Sequence, residues 1–162
     1  MGGSTAKMVA VRRFDRETLY GFVDPRSYLQ AQSMELIKPS AELLVIPYGH
    51  VKYVSFVKEF DGAALTRTVF HSRPKFEGLW VRMSLVDGDI MEGVLPNNLL
   101  LWDATGYTFT PPEPDGNHQK VFVPKVSLRG IQVLGVVGSP LNVAVKSGRK
   151  KPQVHPDQAR LF

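Results

Sequence analysis

A β-run, a proline and a second β-run occur twice in this chain, 77 residues apart. The first copy is Leu44-Val45-Ile46-Pro47-Tyr48-Gly49-His50-Val51-Lys52-Tyr53-Val54-Ser55-Phe56. The second is Val121-Phe122-Val123-Pro124-Lys125-Val126-Ser127-Leu128-Arg129-Gly130-Ile131-Gln132-Val133. Proline fixes its own φ and brings no N–H to a ladder, so a strand must bend or stop there, and the flanking apolar residues serve two strands. The remainder repeats as well. With Gly21 laid over Gly93, a shift of 72, Val9 falls on Val81, Asp15 on Asp87, Glu17 on Asp89, Phe22 on Val94 and Val23 on Leu95. The step from 72 to 77 fits an insertion in the loop 111–119, which is rich in turn formers. The chain is therefore expected to use one small β-unit twice.

Within the first unit, residues 8–14 alternate, with Val9 and Val11 on one side and Ala10 and Arg12 on the other, the period of a half-buried strand. Asp15-Arg16-Glu17 turns it, and residues 18–23 return with Gly21 in the middle. Residues 28–37 supply one or two more strands. A short helix is the alternative within 28–42, where Leu29, Gln30, Ala31, Gln32, Met34 and Glu35 have fair helix propensity. Residues 65–71 read as an extra strand that could pair across the two units. No stretch keeps a 3.6-residue period for more than two turns, so the expected class is all-β. Each half offers about five strands in roughly 60 residues, enough to roll into a small barrel. Gly21 and Gly93 would permit the bending.

The strand, acidic turn (Val86-Asp87-Gly88-Asp89), strand with central Gly93 and closing apolar-Pro-x-x-x-apolar-x-x-apolar unit resemble the Sm/LSm and Hfq family of small barrels. The closing unit from Ile46 to Val54 is similar to that family's second motif in its apolar positions, and 123–131 repeats the spacing. The resemblance implies two tandem small SH3-like or Sm-like β-barrels, and composition adds a flexible basic C-terminal tail. The expected boundaries are a disordered start at 1–7, a first barrel at 8–60, a linker with an extra strand at 61–78, a second barrel at 79–137 and the tail at 138–162. Where archaeal and eukaryotic members carry arginine and glycine to grip RNA, this chain has Pro47-Tyr48 and Pro124-Lys125. Of the lysine and histidine of Hfq, Tyr48 and His50 stand in one half and Lys125 in the other.

Composition narrows the function. The chain has no cysteine, hence neither disulfides nor thiolate metal sites. It has no apolar run of the roughly 20 residues a bilayer span needs and no signal-peptide pattern, so a cytoplasmic location without membrane partners is expected. His50, His71, His118 and His155 never fall at a paired ligand spacing. Asp87-Gly88-Asp89 reads as a hairpin turn rather than a cation loop. Nucleophile-elbow, P-loop and dinucleotide fingerprints are absent, so neither an enzyme nor a cofactor is expected.

The formal net charge is +5, and +4 of it lies from Gly138 onward, in Lys146, Arg149, Lys150, Lys151 and Arg160 against Asp157. The polyanion signal thus belongs mainly to the tail. In the body, Arg12, Arg13, Lys52, Lys58, Arg67, Arg73, Lys75, Arg82 and Lys125 are interleaved with Tyr20, Tyr48, Tyr53, Phe70 and Trp80, as a stacking platform with phosphate contacts requires and as any solvated face also shows. The leading reading is a non-enzymatic binding or adaptor module associated with nucleic acid, with Lys125, Arg129, Lys146, Arg149, Lys150 and Lys151 as contacts. An alternative is a protein-interaction or scaffold unit that self-associates through barrel edges as a homo-oligomer. Its terminal Gln158-Ala159-Arg160-Leu161-Phe162 resembles the peptide by which bacterial replication and repair proteins dock on the DNA sliding clamp, with Gln158, Leu161 and Phe162 as partner contacts. A third reading is a cyclic-dinucleotide-sensing barrel, since Arg12 and Arg16 have the R-x-x-x-R spacing of PilZ domains.

Overall fold

The structure, a computed structural model, describes residues 5–62, 65 and 67–138. The described residues are all-β, with ten strands: β1 (Lys7–Arg13), β2 (Thr18–Val23), β3 (Ser33–Ile37), β4 (Leu43–Pro47), β5 (Val51–Val57), β6 (Gly78–Leu85), β7 (Ile90–Leu95), β8 (Gly106–Phe109), β9 (His118–Pro124) and β10 (Leu128–Val137). They form two antiparallel sheets, one of seven strands in the order β4-β3-β2-β1-β5-β9-β8 and one of three in the order β10-β6-β7. Residues 139–162, and with them the tail contacts Lys146, Arg149, Lys150 and Lys151 and the terminal Gln158, Leu161 and Phe162, lie outside the described residues.

The two halves share strand order and register. In the first, β5 and β2 flank β1, and Val9 faces Gly21; in the second, β10 and β7 flank β6, and Val81 faces Gly93. The opposite flank agrees too, with Val9 against Phe56 and Val81 against Val133. The third strand meets the second over a single pair in each half, Phe22 with Ile37 and Val94 with Thr110. The repeated proline corners superpose in backbone angle: Pro47 at φ −61°, ψ 143° and Pro124 at φ −64°, ψ 146°, each capping a one-turn 3-10 helix, Tyr48–His50 and Lys125–Ser127. Proline suits that place because its φ is preset and no ladder bond is forfeited.

Two separately closed barrels are not what forms. The larger sheet crosses from one half to the other, because β5 pairs with β9. Each would otherwise end its own unit with a row of unpaired N–H and C=O groups beside apolar side chains, and joining satisfies both rows at once. The joint also mixes the two cores. Along β9, Val121 and Val123 belong to the core of the second half, while Phe122 points into the first, near Tyr28 and Tyr48 at ring-centroid distances of 6.2 and 6.3 Å. Tyr53 of β5 returns the exchange and is buried in the second core.

Within residues 28–42 the strand reading holds over Ser33–Ile37 and the helix alternative does not: Met34 and Leu36 alternate inward and build β3, and burial of that alternation outweighs helix propensity. One local expectation is corrected. The described part of 65–71 is not a strand. Its backbone is held instead by one residue of β7, since Glu92 N–H donates to Thr68 O at 2.6 Å and Phe70 N–H donates to Glu92 Oε1 at 3.1 Å. The loop 111–119 does fall between β8 and β9, with His118 opening β9.

Candidate functional site

Three places combine exposure with unusual side chains: the outer sheet edges, the turn facing the joint, and a cleft under residues 67–76. At the turn, Asp87 and Asp89 close the β6–β7 hairpin around Gly88, whose φ of 95° only glycine adopts readily. Both carboxylates receive Lys52 Nζ from β5, at 2.8 Å for Asp87 and closer still for Asp89. Burial alone would raise the Asp87 carboxyl, but the Lys52 ammonium overrides it and holds the group below its ordinary value. Burial alone would lower Lys52, and the two carboxylates hold it above its ordinary value. The acidic turn therefore serves as a tie between the halves.

Ser55 and His118 also meet across the joint, with Oγ and Nδ1 2.6 Å apart. Ser55 has no exposed surface, so its hydroxyl cannot reach a substrate, and the pair tethers β5 to β9. Among the described residues no group of three or more His, Asp or Glu could hold a metal ion, and no helix is long and apolar enough to cross a membrane.

The residues singled out for nucleic acid separate in space. Lys125 is exposed in the 3-10 turn that follows Pro124, with Nζ 5.8 Å from the Tyr107 ring centroid, and Arg129 donates to Val86 O at 3.0 Å. Both serve local packing at the proline corner. Arg12 donates to Thr18 Oγ1 at 3.1 Å, whereas Arg16 sits in the β1–β2 turn at φ 75°. Arg12 lines a cleft with Lys52 and Tyr53 to which Arg16 contributes nothing.

A different subset of the interleaved cations does converge. Arg67, Arg73 and Lys75 line an open cleft of about 310 Å³ with Phe70, His71 and Phe76. The segment is fastened from below by the buried Glu92. That carboxylate accepts from Phe70 N–H, from Arg82 Nε at 3.0 Å and Nη2 at 2.9 Å, and from Trp80 Nε1 at 3.3 Å. Sequence reasoning missed Glu92, whose only signal was a charged residue beside Gly93 in an otherwise apolar strand.

The outer edges are the third place. β7 and β8 end their sheets, but they are stitched to one another by the reciprocal bonds of Val94 and Thr110 at 3.0 and 2.9 Å. Among the described residues, that leaves β4 and β10 with no strand on one side.

No curated protein and no solved structure matches the chain. A family model does match, over residues 5–135, a span that takes in both halves and the β5–β9 joint and stops short of the basic tail. The chain thus belongs to the family of unknown function DUF6982.

Proposed function

We propose that this protein is a non-enzymatic scaffold module, two copies of one small barrel-like unit, which associates head to tail with further copies of itself. The observation that carries the proposal is that the two edges left unpaired among the described residues are the counterparts of the two strands already joined inside the chain. In the joint, Val54 faces Phe122, Ser55 faces Val121 and Phe56 faces Lys120. Moved by the 77-residue repeat, these pairs become Ile131 with Val45, Gln132 with Leu44 and Val133 with Leu43, on the outer edges of β10 and β4. The apolar members are left open to solvent: Leu43 is 55% exposed, Val45 53%, Ile131 40% and Val133 60%. Soluble proteins normally blunt such edges with charge, proline or a covering loop.

A second exposed group falls in the same scheme. In the first half, the loop between second and third strands places Tyr28 against Phe122 across the joint. The corresponding loop of the second half carries Leu99–Leu101, and Leu100 is 92% exposed. A β4 strand from the next copy would cover these leucines as β9 covers Tyr28. Joining different surfaces in this way is heterologous, so it closes into a ring or continues as a filament.

Light scattering over a concentration series tests the proposal. The chain is expected to scatter as whole multiples of its 18.1 kDa mass. A variant carrying Val45→Lys and Val133→Lys, both exposed, is expected to fold and to scatter as the single chain, since charges on an edge oppose strand addition. A strict monomer at every concentration for the unaltered chain would overturn the reading.

A further inference from the structure

We infer that the cleft beneath residues 67–76 binds a phosphate-bearing planar base, that is, a nucleotide unit, either free or within a single strand. Three cations are crowded there with only one acid among the lining residues. Glu113 pairs with Arg67 at 3.0 Å. Neither Arg73 nor Lys75 has a carboxylate partner among the described residues. The positive charge of Arg73 and Lys75 is therefore unneutralised, and an anion is the group that would relieve it.

Arg73 is also positioned rather than loose. Its Nη2 donates to the Val136 carbonyl at 2.7 Å, which leaves the other guanidinium N–H groups for a ligand. Pro74 is buried beside it, and the segment hangs from Glu92 through Phe70 N–H. The floor is aromatic: Phe70 stands edge-to-face with Phe76 at 5.9 Å and with Trp80 at 6.3 Å, and both phenylalanines are half-buried. Half-buried rings beneath presented cations are what a base with an adjacent phosphate needs, the ring giving stacking area and the cations taking the phosphate. The cleft volume of about 310 Å³ lies at the small end of ligand pockets and suits one nucleotide better than a folded partner. The site touches β10 through Arg73 and Val136, beyond the residues 131–133 that would pair with a second copy, so it can be tested independently of self-association.

The test uses the whole chain, basic tail included, and a fluorescein-labelled twelve-residue thymidylate strand read by anisotropy in about 50 mM salt. The Arg73→Gln, Lys75→Gln double variant is expected to bind at least about tenfold more weakly. Its log K against log salt slope is expected to fall by roughly 1.4, since each phosphate contact on a single strand contributes about 0.7. If that variant does not fold, Lys75→Gln alone is read, with an expected loss of about threefold and a slope lower by roughly 0.7. Thymidine monophosphate that displaces the strand from the cleft identifies the free nucleotide as sufficient, and failure to displace identifies the strand. Equal binding by the variant and the unaltered chain would place the affinity in the tail and overturn the inference. So would absence of binding by the unaltered chain, or displacement by inorganic phosphate as effective as by the nucleotide.

Discussion

Replacing Gly93 with valine will cost the protein its native state. Gly93 lies mid-strand in β7, paired with Val81 of β6, and a Cβ built there would stand 2.6 Å from Cγ and 2.8 Å from Cε1 of Phe109. Phe109 is fully buried, so the ring has nowhere to retreat without opening the second core. Overpacking of well-filled cores costs about 1–3 kcal/mol and more where neighbours are fixed, and a branched side chain against this ring should exceed about 3 kcal/mol. Against a typical total of about 5–15 kcal/mol, that loss removes most of the folded population or lowers the urea midpoint steeply. Gly21 holds the matching position, its added Cβ falling 2.5 Å from Ile37 O and 2.9 Å from Leu36 Cδ1, and Gly21→Val is expected to behave alike. Gly130→Ala is the control: nothing lies within 4 Å of its Cβ, and a change within about 0.5 kcal/mol is expected. An unchanged urea midpoint for Gly93→Val would show that the third strand does not press on the second as described.

The second large effect belongs to Phe122. This ring has no exposed surface, is carried by the second half of the sequence, and fills the core of the first. Phe122→Ala is expected to destabilise by about 3–5 kcal/mol, the range for deleting a buried aromatic. The more telling prediction concerns cooperativity. Both tryptophans, Trp80 and Trp102, lie in the second half, whereas the hole opens in the first. Because Tyr53 and Phe122 exchange places between the cores, tryptophan fluorescence and far-ultraviolet circular dichroism should shift together to the same lower urea midpoint. A tryptophan transition that stays where it was while the dichroism moves would show two halves that unfold separately.

The β-runs flanking Pro47 and Pro124 were legible because proline acts locally: it fixes one angle and removes one donor whatever surrounds it. The alternation of Val9 and Val11, and the pairing of strands around the acidic turns, followed for the same reason. Gly21 and Gly93 were legible as special but for a partial reason. Their lack of a Cβ admits the third strand, Leu36 and Ile37 in one half and Phe109 in the other, a fact of packing that no local pattern states. The fusion of the halves was not read, yet Val121-Phe122-Val123 carried a sign of it. Three consecutive apolar residues in a strand mark burial on both faces, which a separate closed unit would not give to its last strands. The cleft was only half legible: Arg67, Phe70, Arg73, Lys75 and Trp80 stood among the interleaved residues, but the carboxylate that fastens Phe70 and Trp80, Glu92, lies in another strand.

The most direct test of head-to-tail assembly uses the absence of cysteine from the chain. One preparation carries Val45→Cys and another Ile131→Cys, and the two are mixed and oxidised gently. Positions facing one another in an antiparallel pair lie within disulfide reach, about 4.4–6.8 Å between Cα atoms. The account predicts a cross-linked species of twice the 18.1 kDa chain mass in the mixture, with the disulfide mapped between positions 45 and 131. It is contradicted if the mixture gives only uncross-linked chains, or only the like-with-like pairs that a control with Asp115→Cys, exposed in the β8–β9 loop, forms at the same rate.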